Sequence, residues 1–315
     1  KNQNFLSVIS FDIDDQSSIG ATTILTKPGA VYASANALYV ATRQYQYENI
    51  DWFYDESQNI SESTTIHKFN FILNDIHTTY AGSGFVKGHV LNQFAMDEHN
   101  GFLRIATTLG HVPDPNVHST ISILKENNGL LTVEGQIDNI APTEDIRSAR
   151  FDGDQGYIVT FKKTDPLFVL DLSDPQTPSI KGELKIPGFS TYMQMMDDSH
   201  ILSIGYDADD QGDFAWFQGI QLQIMDVSDL ANPKLVHKEI IGTRGSTSDA
   251  ATNHFAFNYF KKKDLLAIPM TICEGGSGGN YGDLMSFSGL MVYKVTASNG
   301  FQLLDSALTL THNSE

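Results

Sequence analysis

An acidic run at residues 207–214, DADDQGDF, contains the residue types that bind calcium. Ca²⁺ takes several oxygen ligands around a tight turn, and Asp207, Asp209 and Asp213 could supply them, with Gly212 permitting the bend. The run lacks the bidentate Glu that an EF-hand loop has at its twelfth position, where Gln218 stands. A solvated acidic turn also explains the pattern. The sequence therefore predicts no required cofactor and leaves a calcium site open.

Two further motifs resemble reactive sites. His111 and His118 flank Asp114, and imidazole and carboxylate are zinc ligands, but a rigid loop with two prolines explains this segment without a metal. GGSGG at residues 275–279 matches the nucleophile-elbow pattern, which requires a strand, a turn and a helix around the serine. No helical pattern follows Ser277, so a flexible loop is expected. The sequence predicts no catalytic residue.

Aromatic residues are concentrated in four segments between apolar runs: 44–63, 109–118, 207–219 and 272–288. These segments contain twelve Asp and Glu residues and none of the chain's twenty Lys and Arg residues. The candidate ligand-binding residues in them are Trp52, Phe53, Tyr54, Phe214, Trp216, Phe217 and Tyr281. Aromatic rings outside a strand core either contact a ligand or pin the loop, and both interpretations stay open.

An acidic surface with exposed rings suits two classes of partner. A glycan would stack on the rings and donate hydroxyl hydrogen bonds to the carboxylates, whereas a cationic protein or peptide would use the rings as anchors. The formal charge of −18 argues against nucleic acid and anionic membrane surfaces, because both require a basic surface. No run of eighteen apolar residues occurs, so membrane insertion is not expected.

The elements that position these segments repeat along the chain. FVLDLSDPQTPSIKGELKIPG at residues 168–188 recurs without a gap as QIMDVSDLANPKLVHKEIIG, beginning at residue 223. Each repeat has an anchor strand, two short apolar runs and a trailing strand. Asn-Gly pairs at residues 100–101, 128–129 and 299–300 predict type I′ hairpins. Repeated four-stranded antiparallel units predict an all-β fold, a β-propeller of four-stranded blades.

A single propeller domain, or the larger part of one, is therefore expected over residues 1–315. Its units are predicted at approximately 5–43, 64–109, 119–162, 167–206 and 220–272, with a partial sixth at 288–310. A blade has two apolar faces and must stack against neighbouring blades to bury them. In a ring of equivalent blades, the four aromatic segments would emerge on the same side.

Three runs resemble a known family: residues 151–205, VLNQFAMDEHNGFLRIATT at 90–108, and GTRGSTSDAATNHFAFNYFKKKDLLAIPM at 242–270. They are similar to secreted prokaryotic proteins that carry a C-terminal β-propeller distantly related to WD repeats. This resemblance implies a propeller and a secreted or cell-envelope location, and it implies no particular activity. The chain begins at Lys1, which is consistent with removal of an upstream segment such as a signal peptide.

The function favoured by these observations is a non-catalytic binding or scaffold module that acts through the acidic, aromatic loop face. Two alternatives stay open. One is a carbohydrate-active or metal-assisted hydrolase or lyase on a propeller, which would require two converging carboxyl groups, one of them with a raised pKa. The other is a structural segment of a larger surface protein.

Overall fold

A computed structural model of the chain describes residues 4–14, 18–45, 62–72, 78–161, 165–210, 215–277 and 279–307. The described residues form 23 β-strands and four single-turn 3₁₀ helices. The prediction of an all-β chain is confirmed. Among these residues, no helix has the length and apolar character needed to cross a membrane. Two compact units divide the chain: residues 1–146 with 172–179, and residues 147–171 with 180–315.

The first unit contains three groups of antiparallel strands. The N-terminal pair is β1 (Phe5–Phe11) and β2 (Ile19–Leu25). The second group is β3 (Ala30–Ala33), β4 (Ala37–Tyr45), β5 (Glu62–Phe71) and β6 (Thr78–Lys87). The third group is β7 (His89–Val90), β8 (Met96–His99), β9 (Phe102–Leu109), β10 (His118–Asn127) and β11 (Leu130–Ile140), with a 3₁₀ turn at Gln93–Ala95.

The second and third groups join into one nine-stranded sheet along a narrow seam. Among the described residues, β6 and β11 share one register pair at this seam: Leu130 of β11 lies opposite Ser83 of β6 in a parallel arrangement. The Ser83 amide donates to the Gly129 carbonyl oxygen at 3.2 Å. Apolar packing adds to this seam, because Ile66 of β5 belongs to the same buried cluster as Leu103 and others from β9 and β10.

The second unit is built mainly from three four-stranded antiparallel sheets. Their strands are β12 (Asp145–Asp152), β13 (Gln155–Phe161), β14 (Asp165–Asp171) and β15 (Ser179–Ile186); β16 (Phe189–Met195), β17 (His200–Asp210), β18 (Ala215–Asp226) and β19 (Lys234–Ile241); and β20 (Asn258–Phe260), β21 (Leu265–Glu274), β22 (Leu284–Thr296) and β23 (Gly300–Ala307). The first two residues of β12, Asp145 and Ile146, and the first residue of β15, Ser179, belong to the first unit. Three 3₁₀ turns lie at Asp249–Ala251, His254–Ala256 and Lys261–Lys263.

The sheets of the second unit pack face to face, and their central strands are buried on both sides. In β18, Met225 packs in a cluster with Tyr157 and Val169, whereas the adjacent Ile224 packs in a cluster with Leu266. Successive residues of a strand point to opposite faces, so one strand serves two cores. Each fully buried apolar side chain contributes about 1.5–3 kcal/mol. This double burial explains why the central strands are continuous apolar runs in the sequence.

Two of the three Asn-Gly turns adopt the predicted conformation. Asn100 and Gly101 have φ of 52° and 79°, and Asn128 and Gly129 have φ of 51° and 86°, as a type I′ turn requires. The third prediction is wrong. Gly300 pairs with Thr296 as the first residue of β23, so three residues, 297–299, form the turn and Asn299 is not in the positive-φ region.

The hydrogen-bonded sheets group the strands differently from the predicted repeat units. The predicted anchor FVLDLSD lies in β14, the third strand of its sheet, and the trailing strand HILSIGY lies in β17, the second strand of the next sheet. The last predicted anchor, LMVYKV, lies in β22, and β23 follows it as the fourth strand. The unit boundaries and the number of blades stay predictions.

Candidate functional site

The β17–β18 hairpin positions two of the predicted aromatic residues. Trp216 lies opposite Asp209 in the register of this hairpin, and Phe217 lies opposite Ala208. Because they are consecutive in β18, their side chains leave the hairpin on opposite faces. The segment 207–219, predicted as a loop, is therefore largely strand: β17 extends to Asp210 and β18 begins at Ala215.

An arginine side chain lies between two of the predicted ligand-binding rings. The Arg244 guanidinium carbon is 4.3 Å from the ring centre of Trp216 and 4.5 Å from that of Tyr281. Trp216 belongs to β18, Arg244 follows β19, and Tyr281 lies between β21 and β22. Cation–π contacts at this distance are favourable by about 0.5–2 kcal/mol each. We call these three residues the aromatic–arginine site.

Backbone hydrogen bonds fix the segments that carry Arg244 and Tyr281. The Thr243 amide donates to the Cys273 carbonyl oxygen at 2.9 Å, which ties the arginine segment to β21. The Gly282 amide donates to the Arg244 carbonyl oxygen at 2.7 Å, and the Gly276 amide donates to Thr243 Oγ1 at 3.1 Å. The glycine-rich run that looked like a flexible loop is thus tied at two points to the arginine segment.

Close approach to Trp216 explains one glycine of this run. A Cβ atom at Gly279 would lie 2.9 Å from Trp216 Cζ2, closer than nonbonded carbon atoms normally approach. Trp216 is therefore enclosed by Arg244 and by the backbone at Gly279. Tyr281, in contrast, is 69% exposed, which leaves much of its ring open to solvent. Of the two rings, Tyr281 is the one that a ligand can reach directly.

The Arg244 guanidinium has no carboxylate partner among the described residues. Its Nε atom is buried and has no hydrogen-bond partner there, and no ion pair to Arg244 is present in that part of the chain. The guanidinium therefore has at least one N–H donor without an acceptor among the described residues, and burying a donor in that way costs free energy. Two rings pack close to the guanidinium, and its terminal NH₂ groups are the donors that an outside acceptor could use. Guanidinium groups bind carboxylates in a bidentate manner.

A cavity of about 260 Å³ begins three residues beyond Arg244. We call it the hydroxyl pocket; it is lined by Thr247, Ser248, Asp249, Pro269, Met270, Thr271, Ser288 and Gly289. Its walls are fixed by paired backbone hydrogen bonds of 2.9 Å between Thr247 and Thr271, and by Ser248 Oγ donating to the Pro269 carbonyl oxygen at 2.6 Å. The lining thus combines hydroxyl groups, one carboxylate and some apolar surface.

Phe217, on the other face of the hairpin, packs against two buried aromatic rings. Its ring centre is 4.9 Å from that of Phe189 and 5.7 Å from that of Phe161. The Arg147 guanidinium carbon lies 5.8 Å and 5.9 Å from the centres of those same two rings. Phe161 and Phe189 are only 3% and 6% exposed. Phe217 therefore anchors the hairpin to the core and is less suited to ligand contact than Tyr281.

The remaining candidate aromatic residues lie outside the described residues: Trp52, Phe53, Tyr54 and Phe214. Their proposed role in binding stays a prediction, as does the clustering of the four aromatic segments. Among the predicted residues that the structure describes, Trp216 and Tyr281 come together around Arg244, and Phe217 does not join them.

The two described residues of the predicted calcium site each have a protein partner. Lys238 Nζ lies 2.7 Å from Asp207 Oδ1, and Gln218 Nε2 donates to Asp209 Oδ2 at 2.8 Å. The third predicted ligand, Asp213, lies outside the described residues. Over the part of the chain that is described, no group of three or more His, Cys, Asp and Glu side chains could hold a metal ion. Calcium binding stays a prediction.

His111 and His118, weighed together as zinc ligands, have separate partners. His111 Nδ1 is 3.2 Å from Asp145 Oδ2, whereas His118 Nδ1 is 2.9 Å from the Asn116 carbonyl oxygen. Ser277 is an exposed loop residue, and the next element is strand β22 instead of the helix that a nucleophile elbow needs.

Sequence analysis missed Arg244 because it lies outside the four aromatic segments, which contain no basic residue. The signal that could have located it is the glycine-rich run GTRGST at residues 242–247, which has an arginine between two glycines and is followed by hydroxyl-bearing residues. The sequence does not show that these residues meet, since Trp216 lies in β18, Arg244 follows β19, and Tyr281 lies between β21 and β22.

A family model described as "Beta propeller domain" matches residues 1–315. An uncharacterized protein of Archaeoglobus fulgidus is 36% identical over 244 residues, which cover 77% of this chain and 34% of that protein. The uncharacterized protein MJ1554 of Methanocaldococcus jannaschii is 37% identical over 227 residues, covering 72% of this chain and 33% of that protein. The chain thus spans about a third of the length of these relatives.

Among solved structures, the periplasmic gluconolactonase PpgL of Pseudomonas aeruginosa is similar in fold. The TM-score is 0.51 at 11% sequence identity, and the match covers 94% of this chain and 76% of that one. At this identity the similarity concerns the fold alone. Together with the stacked antiparallel sheets, it identifies an all-β, propeller-like architecture.

Proposed function

Because this chain belongs to the Beta propeller domain family, we propose that it is a non-catalytic binding or scaffold module and that it holds an acidic glycan at the aromatic–arginine site. The observation that carries the proposal is the Arg244 guanidinium, which lies between Trp216 and Tyr281 with an unpartnered Nε. Because two rings pack against the guanidinium, the Arg244 side chain is already ordered, and binding an acceptor costs little additional side-chain entropy.

Arg244 supports one of the two partner classes that the sequence left open. A cationic peptide would bring its positive charge close to a guanidinium that already occupies the space between the rings, and like charges repel. A sugar carboxylate would instead complete the hydrogen bonding of that guanidinium. An acidic glycan therefore suits the site better than a cationic protein does.

The hydroxyl pocket supports a glycan over a simple anion. Its volume of about 260 Å³ is of the order of a single sugar ring, and Thr247 and Asp249 line it without side-chain hydrogen bonds to other described residues. A sugar hydroxyl could donate to the Asp249 carboxylate while the ring packs against the apolar part of the lining. We propose that a sugar residue in this pocket continues to a uronic acid at Arg244.

We also propose that the protein is located in the cell envelope or is secreted. The resemblance of the three sequence runs to secreted propeller proteins supports this location. A role as a structural segment of a larger surface protein is compatible with glycan binding, since the curated relatives are about three times as long as their match to this chain.

The enzymatic alternative has less support from the described residues. A paired-carboxylate catalyst needs one carboxyl group with a raised pKa. Six described carboxyl groups instead have a pKa below its ordinary value: Glu62, Asp138, Asp174, Asp197, Asp226 and Asp229. The similarity to a gluconolactonase adds nothing to this alternative, because it concerns the fold alone.

The proposal is tested by calorimetric titration with short uronic acid oligosaccharides and with neutral hexose oligosaccharides of the same linkage. Short chains are preferred because a polymer with many carboxylates would be repelled by a protein of formal charge −18. We expect the acidic oligosaccharide to bind at least about ten times more tightly than the neutral one. Equal affinities, or no binding of either sugar by the intact protein, would refute the proposal.

A further inference from the structure

A second polar cluster lies in the first unit, and the proposed glycan site does not involve it. At its centre the Glu62 side chain is only 4% exposed. Its carboxylate accepts hydrogen bonds from the Gly110 amide at 3.1 Å and from Arg43 Nε, and His89 Nδ1 lies 3.2 Å from Oε2. A buried carboxylate surrounded by donors in this way is fixed in position.

Asp145 holds a second histidine in the same manner. Its side chain is 11% exposed; Oδ1 accepts from the Val112 amide at 3.2 Å, and Oδ2 lies 3.2 Å from His111 Nδ1. Each of the two histidines therefore has its Nδ1 held by a largely buried carboxylate. The two rings are adjacent, with their centres 5.8 Å apart.

The hydrogen bonds determine which nitrogen of each ring is free. An ionised carboxylate only accepts hydrogen bonds, so the Nδ1 atoms of His89 and His111 must carry the protons. In a neutral imidazole this places the lone pair on Nε2. No described residue hydrogen-bonds to Nε2 of either ring. The cluster therefore presents two unused imidazole lone pairs on neighbouring rings.

This arrangement matches how proteins prepare histidine ligands for a metal. A metal-bound histidine usually donates its other ring N–H to a carboxylate, which sets the tautomer and the orientation of the ring. Two imidazoles on one tetrahedral zinc ion, with Zn–N of ~2.0–2.1 Å, have ring centres roughly 5 Å apart. The observed separation of 5.8 Å is close to that value, and the His111 side chain is 72% exposed, so its ring has room to turn toward a shared ion.

We propose that His89 and His111 bind one divalent transition-metal ion of the zinc, copper and nickel class through their Nε2 atoms. Glu62 and Asp145 orient the two rings without contacting the ion. Because the described residues contain no group of three or more ligating side chains, water or an external ligand fills the remaining positions. The site is reached from solvent past His111.

The test uses the intact chain, first treated with a chelator and then titrated with zinc chloride alone. We expect zinc to raise the melting temperature by several degrees and to shift the ¹⁵N resonances of both Nε2 atoms in NMR spectra. His111→Asn and His89→Asn should each remove both effects. His118→Asn is the matched control, because His118 is also on this unit and is 3.6 Å from Asp138, and it should retain both effects.

Two results would overturn the proposal. One is an absence of any Nε2 shift with zinc, copper or nickel. The other is zinc binding that persists in the His89→Asn/His111→Asn double variant, which would place the ion elsewhere. His111→Asn keeps the test valid if His89→Asn does not fold, since His111 is largely exposed and its replacement leaves the core unchanged.

Discussion

Trp216 and Phe217 are consecutive in β18, yet their rings pack against different groups on opposite faces of the hairpin. Trp216 packs on the Arg244 guanidinium, whereas Phe217 packs on Phe161 and Phe189, which themselves contact Arg147. Trp216 therefore lines the proposed binding site on one face of the hairpin, and Phe217 packs the other face against the core. Substitutions at the two positions should separate binding from stability.

Replacing Phe217 should affect stability and leave binding unchanged. The ring is 43% exposed and makes an edge-to-face contact with Phe189, so Phe217→Ala should lower the free energy of unfolding by about 1–2 kcal/mol. Urea denaturation measures this change, and calorimetric titration with the acidic oligosaccharide should give the wild-type affinity. A loss of affinity for the acidic oligosaccharide in Phe217→Ala would show that the two faces are not independent.

Replacing Arg244 by lysine should weaken binding with little cost to stability. Lysine keeps the positive charge but loses the planar edge that faces a carboxylate, so we expect the affinity for the acidic oligosaccharide to fall by about tenfold or more. The free energy of unfolding should change by less than about 1 kcal/mol. Arg147→Lys is the matched control, because Arg147 lies over two core rings, and it should not change affinity. Full affinity in Arg244→Lys would contradict the proposed role.

Gly279→Ala should displace the Trp216 ring. The added methyl group would lie 2.9 Å from Trp216 Cζ2, so either the ring or the loop must move, and the tryptophan fluorescence maximum should shift. A Trp52→Phe background leaves Trp216 as the single tryptophan. Gly153→Ala is the control, since a Cβ there meets open space, although its φ of 49° adds backbone strain. An unshifted spectrum together with normal binding would argue against close packing at Gly279.

Stability should depend on pH through Glu62. Burial alone would raise the pKa of this carboxyl group, but the hydrogen bonds from His89, Arg43 and the Gly110 amide together hold the pKa below its ordinary value of 4.5. The ionised form therefore favours the folded state: this contribution is fully present above pH 4.5 and is lost as the pH falls from there through the folded pKa.

Glu62→Gln isolates that contribution. The variant should be less stable than the wild type at neutral pH by about 1–3 kcal/mol, because Arg43 and His89 lose a charged acceptor. Its urea midpoint should change less between about pH 6 and about pH 3 than the wild-type midpoint does. Parallel curves for the two proteins would show that other carboxylates determine the acid sensitivity.

The sequence allowed the strand content to be predicted well, because local patterns encode it. The alternating and continuous apolar runs correspond to strands, and the Asn-Gly pairs at residues 100 and 128 form the expected turns because both positions require positive φ. Asn299-Gly300 failed because the register of β22 with β23 is set by pairing along the whole hairpin, which places Gly300 in the strand. Local turn chemistry was overridden there by strand pairing.

The candidate site could be predicted only in part. Trp216 and Tyr281 stood out as rings between apolar runs, but Phe217, selected for the same reason, packs on the core. Trp216 and Phe217 differ in the sequence only by alternating along a strand, which places their side chains on opposite faces. Because segment 207–219 was predicted as a loop, this alternation was not used. Arg244 and the His89–His111 pair depend on contacts between distant segments, which neither composition nor spacing encodes.

The seam between β6 and β11 makes the first unit sensitive to solvent conditions. Among the described residues a single register pair joins β6 to β11, so the association of the two groups depends more on the buried cluster around Ile66 and Leu103 and on side-chain contacts such as that of Glu62 with His89 than on backbone pairing. Apolar burial weakens on cooling and in dilute urea. The amide protons that flank this seam should therefore exchange with deuterium sooner than those within either group, and chilling should widen the difference.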